Sequence, residues 1–175
     1  MQPSTEPATD MDTVSDAEHR KKVVELVKQA RSCMFGTYTR EGLHHSRPMA
    51  AVSHEYGDEL WFFTSAESRK IGEIEADPRV TLHYSDDDNK NWVSAVGRAS
   101  IHNDRQKIEE LWSEPVRTWF PDGTDDPRLR LIRVELETAE YWDSPSSAIV
   151  YGFGYLKAAV TGKQPSSGDN KQVKM

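Results

Sequence analysis

A single cysteine in 175 residues, Cys33, leaves the chain without any internal disulfide, so no covalent staple can hold its fold. Its neighbours, CMFGTY, are apolar, and in that setting a thiol reads as a small core hydrophobe before it reads as a nucleophile. No apolar run approaches the ~20 residues that cross a bilayer as a helix. The opening residues, MQPSTEPATDMDTVSD, carry neither the basic nor the apolar stretch of a secretory signal. The expectation is a cytoplasmic protein with no membrane partner. Positive charge is scarce too: 22 Lys and Arg stand against 29 Asp and Glu, a net charge of −7. That balance excludes a general affinity for nucleic acid or anionic lipid.

Several chemistries are missing as well. Neither a GxGxxG nor a GxxxxGK[ST] phosphate loop occurs, and there is no GxSxG nucleophile elbow. His44 and His45 are adjacent, so on a strand they point to opposite faces and cannot serve one metal. His54, His83 and His102 are scattered, and no metal site is expected. Carboxylates fall mostly in turns and on helix faces, where they are solvated charge. Spacing alone nominates no catalytic residue.

Residues 1–14 are polar, Pro/Thr/Asp-rich and aperiodic, which predicts a disordered tail. Ser15 with Glu18 reads as a capping box. Val23, Leu26, Val27 and Ala30 share one face of the helix that follows, which should end near Arg31. Strands over 33–39 and 43–53 flank the turn Arg40-Glu41-Gly42. A turn at 55–59 leads into the strand LWFFTS, and a short helix over 67–75 is closed by Asp77-Pro78. Val80, Leu82 and Tyr84 alternate with polar neighbours. Another strand runs from Trp92 to Ile101, and Asp104 caps a helix bearing Ile108, Leu111 and Trp112. Ile132, Val134 and Leu136 mark the clearest strand. A further strand near 148–153 and a helix near 155–161 precede a polar, flexible tail over 163–175. Short links between strands mean antiparallel pairing, and closing such a sheet into a barrel removes its exposed edges.

One stretch resists this structural reading. FFTSAESRK places Arg69 and Lys70 in the first turn of a helix, where unpaired N–H groups already carry positive charge. Arg69 could pair with Glu73 one turn on, but an exposed pair in that order contributes only about 0.3–0.5 kcal/mol. The other reading is a bound phosphate, held by free N–H groups, the Ser65 or Ser68 hydroxyl, Arg69 and Lys70. Arg47, inside the apolar strand SRPMAAVS, could approach the same anion or a polar ring edge if its strand lies beside LWFFT.

The run RPMAAV…LWFFTSAESRKIGEIEADPRVTLHY, continuing to VGRASI, resembles the pyridoxamine 5'-phosphate oxidase-like superfamily of FMN-binding split barrels. WFPDGTDDPRLRLIRVELETAEYW resembles its general stress protein 26 branch, and the likeness covers residues 17–162. It implies a single domain over 15–162: a mainly β, six-stranded antiparallel Greek-key split barrel flanked by short helices. It further implies a homodimer with two flavin sites at the interface. By position, Arg47, Pro48 and Met49 would lie along the flavin, and Phe63 and Thr64 would meet the ring and ribityl chain. Ser68, Arg69 and Lys70 would hold the FMN phosphate. Trp92 takes a position that touches flavin in relatives, and Trp119 would cover the ring from the partner subunit. FAD could stand in for FMN.

The likeness departs at two points. Val52 stands where pyridoxamine 5'-phosphate oxidases carry a substrate-binding Lys, and no Arg-x-His pattern occurs near the C-terminal end. The expectation is therefore an FMN-binding stress-type oxidoreductase of unknown substrate, not a pyridoxamine phosphate oxidase. A flavin-binding sensor, store or regulatory protein without turnover is the alternative, and a deazaflavin or haem binder on the same fold is a remoter one.

Overall fold

The computed structural model describes residues 16–52, 59–143 and 169–175. Ser15, residues 55–58 of the expected turn, and the strand and helix expected between 148 and 161 lie outside these residues, as do the N-terminal tail and residues 163–168.

Helix α1 (Asp16–Ala30) forms where the apolar spacing places it. Val23, Leu26 and Val27 are buried, and Arg31 leaves the helix at a φ of 63°. Strand β1 (Ser32–Tyr38) then turns at Gly42, whose φ of 81° needs no Cβ to be avoided, into β2 (His44–Ala50). The hairpin register pairs Tyr38 with His44, Thr37 with His45 and Phe35 with Arg47. Strand β3 (Glu59–Ser65) buries Leu60, Phe62 and Thr64 on one face. Helix α2 (Arg69–Ala76) follows and is closed by Asp77, whose backbone N–H returns to the Glu73 carbonyl at 2.9 Å.

Strands β4 (Arg79–Asp86) and β5 (Asn91–His102) alternate as expected, with Val80, Leu82, Tyr84, Val93, Ala95 and Ala99 turned inward. Asp104 caps α3 (Arg105–Leu111) by accepting from the Lys107 N–H at 3.1 Å. The loop after it is wound into two 3-10 turns, Glu114–Thr118 and Gly123–Asp125. Strand β6 (Leu129–Asp143) is the longest element of the sheet.

The strand order is β2-β1-β4-β5-β6-β3, and every pairing is antiparallel. Strand β3 pairs with β6, not with β2. The β2 and β3 ends of the sheet still meet: the Val52 N–H donates to the Trp61 carbonyl at 2.8 Å, just beyond β2. That contact gives the barrel its closure and leaves it split alongside. The inside is filled by Phe35, Phe62, Leu82, Ile132 and Val134, with the Phe35 and Phe62 rings edge-to-face at 5.1 Å. A second cluster outside β3 and β6 packs Ile108, Leu111, Val116, Phe120, Leu129 and Leu131 against Phe63 and Trp112.

The tail expected over 163–175 is corrected in part. Residues Asp169–Lys174 form β7, antiparallel to Thr138–Asp143 of β6, and Val173 is buried in the core. The reason is an edge. Strand β5 covers one side of β6, while β3 covers the other only as far as Glu135. The remaining backbone groups of β6 need partners, and a polar segment with one apolar side chain suffices.

Candidate functional site

The end of the barrel where β1 finishes and β2 begins is crossed by α2, and three polar side chains of the barrel wall point at that helix. Thr37 is fully buried; its hydroxyl donates to Glu73 Oε2 at 2.6 Å and accepts from Arg47 Nη1 at 2.5 Å. Arg47 Nη2 reaches the same Oε2 at 2.9 Å, and His45 Nδ1 lies 3.2 Å from Glu73 Oε1. Burial would raise the Glu73 pKa, but the hydrogen bonds from Thr37, His45 and Arg47 outweigh it and hold the carboxyl at about 2. Glu73 is therefore an ionised clamp with no proton to give at neutral pH.

One helical turn earlier the charge is reversed. Lys70 Nζ donates to Ser68 Oγ at 2.7 Å and to Thr64 Oγ1 at 3.1 Å, and forms no ion pair among the described residues. Burial and the nearby Arg47 lower its pKa, while Glu73 pulls it back up. Ser68 is the N-cap of α2, yet its hydroxyl caps no N–H because it serves Lys70 instead. The first turn holds no acidic residue. Arg69 is exposed and makes no hydrogen bond or ion pair among the described residues. Its possible partner, Glu73, is fully engaged by the barrel wall. Directly opposite Thr64 on β6 stands Arg130, whose Nη1 is turned to the carbonyls of Pro127 and Leu129 at 3.0 and 2.6 Å.

The fold thus brings Arg47, Thr64, Ser68, Arg69 and Lys70 to one end of the barrel. Met49 shares the inner face of β2 with Arg47 and packs on the core, whereas Pro48 points outward beside Met34. Phe63 and Thr64 are consecutive on β3 and face opposite ways. Phe63 packs edge-on against Trp112, 5.8 Å between ring centroids, in the outer cluster. Only Thr64 joins the lysine by its side chain.

Trp92 and Trp119 are not brought to this cluster within one chain. Trp92 sits at the far end of β5 from His102, about 35 Å along the strand, paired across the sheet with Trp142. Trp119 closes the first 3-10 turn and is 79% exposed. The solvent side of the sheet also exposes Met34, Val96 and Trp142. Sequence reasoning missed Thr37, Glu73 and Arg130 as neighbours of the site. The turn at 40–42 was the available signal for Thr37, since the register it sets places Thr37 on the face of Arg47.

Among known proteins, the family described as "Pyridoxamine 5'-phosphate oxidase like" matches residues 18–166. The chain belongs to this family. Within it, the chain is 31% identical over 121 residues to General stress protein 26 of Bacillus subtilis, covering 67% of this chain and 84% of that one. A solved general stress protein 26 from Jannaschia sp. CCS1 superposes with a TM-score of 0.73 at 23% identity, covering 89% of this chain and 99% of that one. This likeness carries the split-barrel fold. The general stress FMN/FAD binding protein of Xanthomonas citri is 29% identical with a TM-score of 0.66, covering 75% of this chain and 92% of its own.

Proposed function

We propose that this protein binds FMN, with the phosphate at the start of α2 and the isoalloxazine ring over the strands behind it. The observation that carries the reading is Lys70: a half-buried ammonium held by two hydroxyls, with no carboxylate partner among the described residues, beside Arg69, also unpaired among them, at a helix N-terminus. The donor set suits a phosphate monoester. Ser68, Arg69 and Lys70 would take its oxygens, Thr64 would position the lysine, and Arg47 would face the ligand from β2. When bound, the flavin would supply hydride or electron transfer, and the protein would supply binding and orientation. The FMN/FAD binding described for the Xanthomonas relative supports the choice of ligand.

True pyridoxamine phosphate oxidase activity is not part of this reading. Val52 packs against the outer apolar cluster and offers no charge to a substrate phosphate. The reaction we favour is a flavin-dependent oxidation or reduction of a substrate still to be identified. One observation favours a second reading, a flavin holder without turnover: Glu73, the carboxylate nearest Lys70, is locked ionised by three donors and cannot act as a general acid.

The assembly we propose is a homodimer through the solvent face of the sheet. An exposed apolar face bearing Met34, Trp92, Val96 and Trp142 gains burial by pairing, and it would bring Trp92 toward a partner's site. We place the protein in the cytoplasm, with its one cysteine buried and reduced.

Titration with FMN, FAD and riboflavin, followed by steady-state oxidation of NADH and NADPH, tests the proposal. Tight FMN binding with weak riboflavin binding is expected; equal binding of the two would remove the phosphate site. Turnover with either reductant supports the oxidoreductase, and none with a range of reductants leaves the holder.

A further inference from the structure

We infer that His83, seated in the middle of the sheet's exposed apolar face, makes the pairing of two copies through that face pH-dependent: neutral, it admits the second copy, and protonated, it opposes it. The inference rests on the homodimer proposed above and concerns its regulation. Strand register fixes the place of His83. It stands opposite Met34 on β1 and Ser94 on β5. Two residues to either side of it on β4, Thr81 faces Val96 and Ser85 faces Trp92, and Trp92 in turn faces Trp142 on β6. Met34, Val96, Trp92 and Trp142 are all exposed, so the imidazole lies inside the patch they form.

A second imidazole reaches the same patch. His44 on β2 extends across β1 to β4, where its Nε2 lies 2.9 Å from the Thr81 hydroxyl. Gly36 permits the crossing, because a Cβ there would collide with both His44 Nε2 and Thr81 Oγ1. Thr81 and His83 share one side of β4, so the two histidines are neighbours on the face. Other charge around His83 is sparse. Glu140 stands beyond Ser94 on β6, Arg79 and Arg98 lie toward one end of the face with Asp77 on Arg79, and Lys174 stands on β7 opposite Thr138. Partial burial and the nearby His44 both lower the His83 pKa from its ordinary 6.5.

With both histidines neutral, a second copy laid on this face meets an apolar surface with no cation at its centre. That charge pattern suits a copy of the same chain, since a two-fold axis sets like against like. With His83 protonated, one cation from each protomer would have to be desolvated in the same interface, which is far costlier than burying two neutral rings. Dimer strength is therefore complete above the ordinary 6.5 and is lost as pH falls below it.

Sedimentation of the full-length protein over a micromolar dilution series, at about pH 7.5 and about pH 5.5, reads the dimer Kd on either side of that transition. The acid point stays well above the range in which the Glu73 carboxyl, held at about 2, takes up its proton. Both copies must shed a proton to pair, so the wild-type Kd rises roughly 10- to 100-fold on acidification. His83→Gln is uncharged at either pH and holds its Kd within about threefold. His102→Gln, which changes the histidine packed on Trp61 away from this face, keeps the wild-type pH response. A wild-type Kd that is unchanged or tighter at the acid pH overturns the inference, and that comparison needs no variant. So does a His83→Gln protein that weakens on acidification as much as the wild type. A wild type already monomeric at the higher pH removes the homodimer reading itself, and the inference with it.

Discussion

Replacing Lys70 by Met separates a binding site from a structural one, because the two roles move stability and affinity in different directions. In the free protein the Lys70 ammonium is half-buried and near Arg47, and its contacts are two neutral hydroxyls, Thr64 and Ser68. Burying a charge without a counter-charge is costly, and Met keeps the length of the stem while removing that cost. The ligand-free Lys70→Met protein should melt at the wild-type temperature or up to roughly 2–4 °C above it, the shift of about 1 kcal/mol in a chain of this size.

FMN binding should move the other way. A charge-assisted hydrogen bond from lysine to phosphate contributes about 1.5–3 kcal/mol, so the Kd should rise roughly 10- to 100-fold. Riboflavin, which lacks the phosphate, should bind both proteins alike. The assay is fluorescence titration with both flavins beside a thermal melt of each unliganded protein. A variant that melts ~5 °C lower yet binds FMN as tightly as the wild type would refute the reasoning and make Lys70 a structural residue. The pH dependence carries the same logic. Burial and Arg47 hold the Lys70 pKa below its ordinary 10.5, so FMN affinity should decline at a pH where a free lysine is still charged.

The acid limb of stability should report Glu73. Its carboxyl is held at about 2 in the folded chain against an ordinary 4.5, so its stabilisation is complete above 4.5 and is lost as pH falls toward 2. Across that window Glu73→Gln should flatten the dependence by about 2–3 kcal/mol, read by urea unfolding at each pH. Gly97→Ala should destabilise by roughly 1–3 kcal/mol, because an added Cβ would stand 2.3 Å from the Glu135 carbonyl oxygen at the β5 bulge. If the proposed homodimer forms through the sheet face, Trp92→Asp should turn it into a monomer in sedimentation at micromolar concentration; a wild type that is already monomeric refutes the dimer, and a dimer that survives the substitution would place the interface elsewhere.

Much of the scaffold was legible residue by residue. Period-two alternation marked Val80–Tyr84 and Ile132–Leu136, Asp104 marked the start of α3, and Gly42 marked the first hairpin, because each depends on neighbours within a few residues. The misplaced cations Arg69 and Lys70 were also visible, since helix polarity makes positive charge at an N-terminus anomalous whatever the tertiary structure does.

What lay hidden were choices among distant partners. Strand β3 found β6 and not β2, and the polar segment Asp169–Lys174 became β7 because β6 had backbone left unpaired beyond Glu135. Glu73 passed over Arg69, a turn away on its own helix, for Thr37, His45 and Arg47 on the barrel wall. The sequence by itself determined the elements, their caps and the surplus of charge at one helix start. Only the tertiary structure decided which charges are satisfied and which remain free. Hydrogen bonds and ion pairs between elements depend on strand register and burial, and those are properties of the whole sheet, not of any stretch of chain.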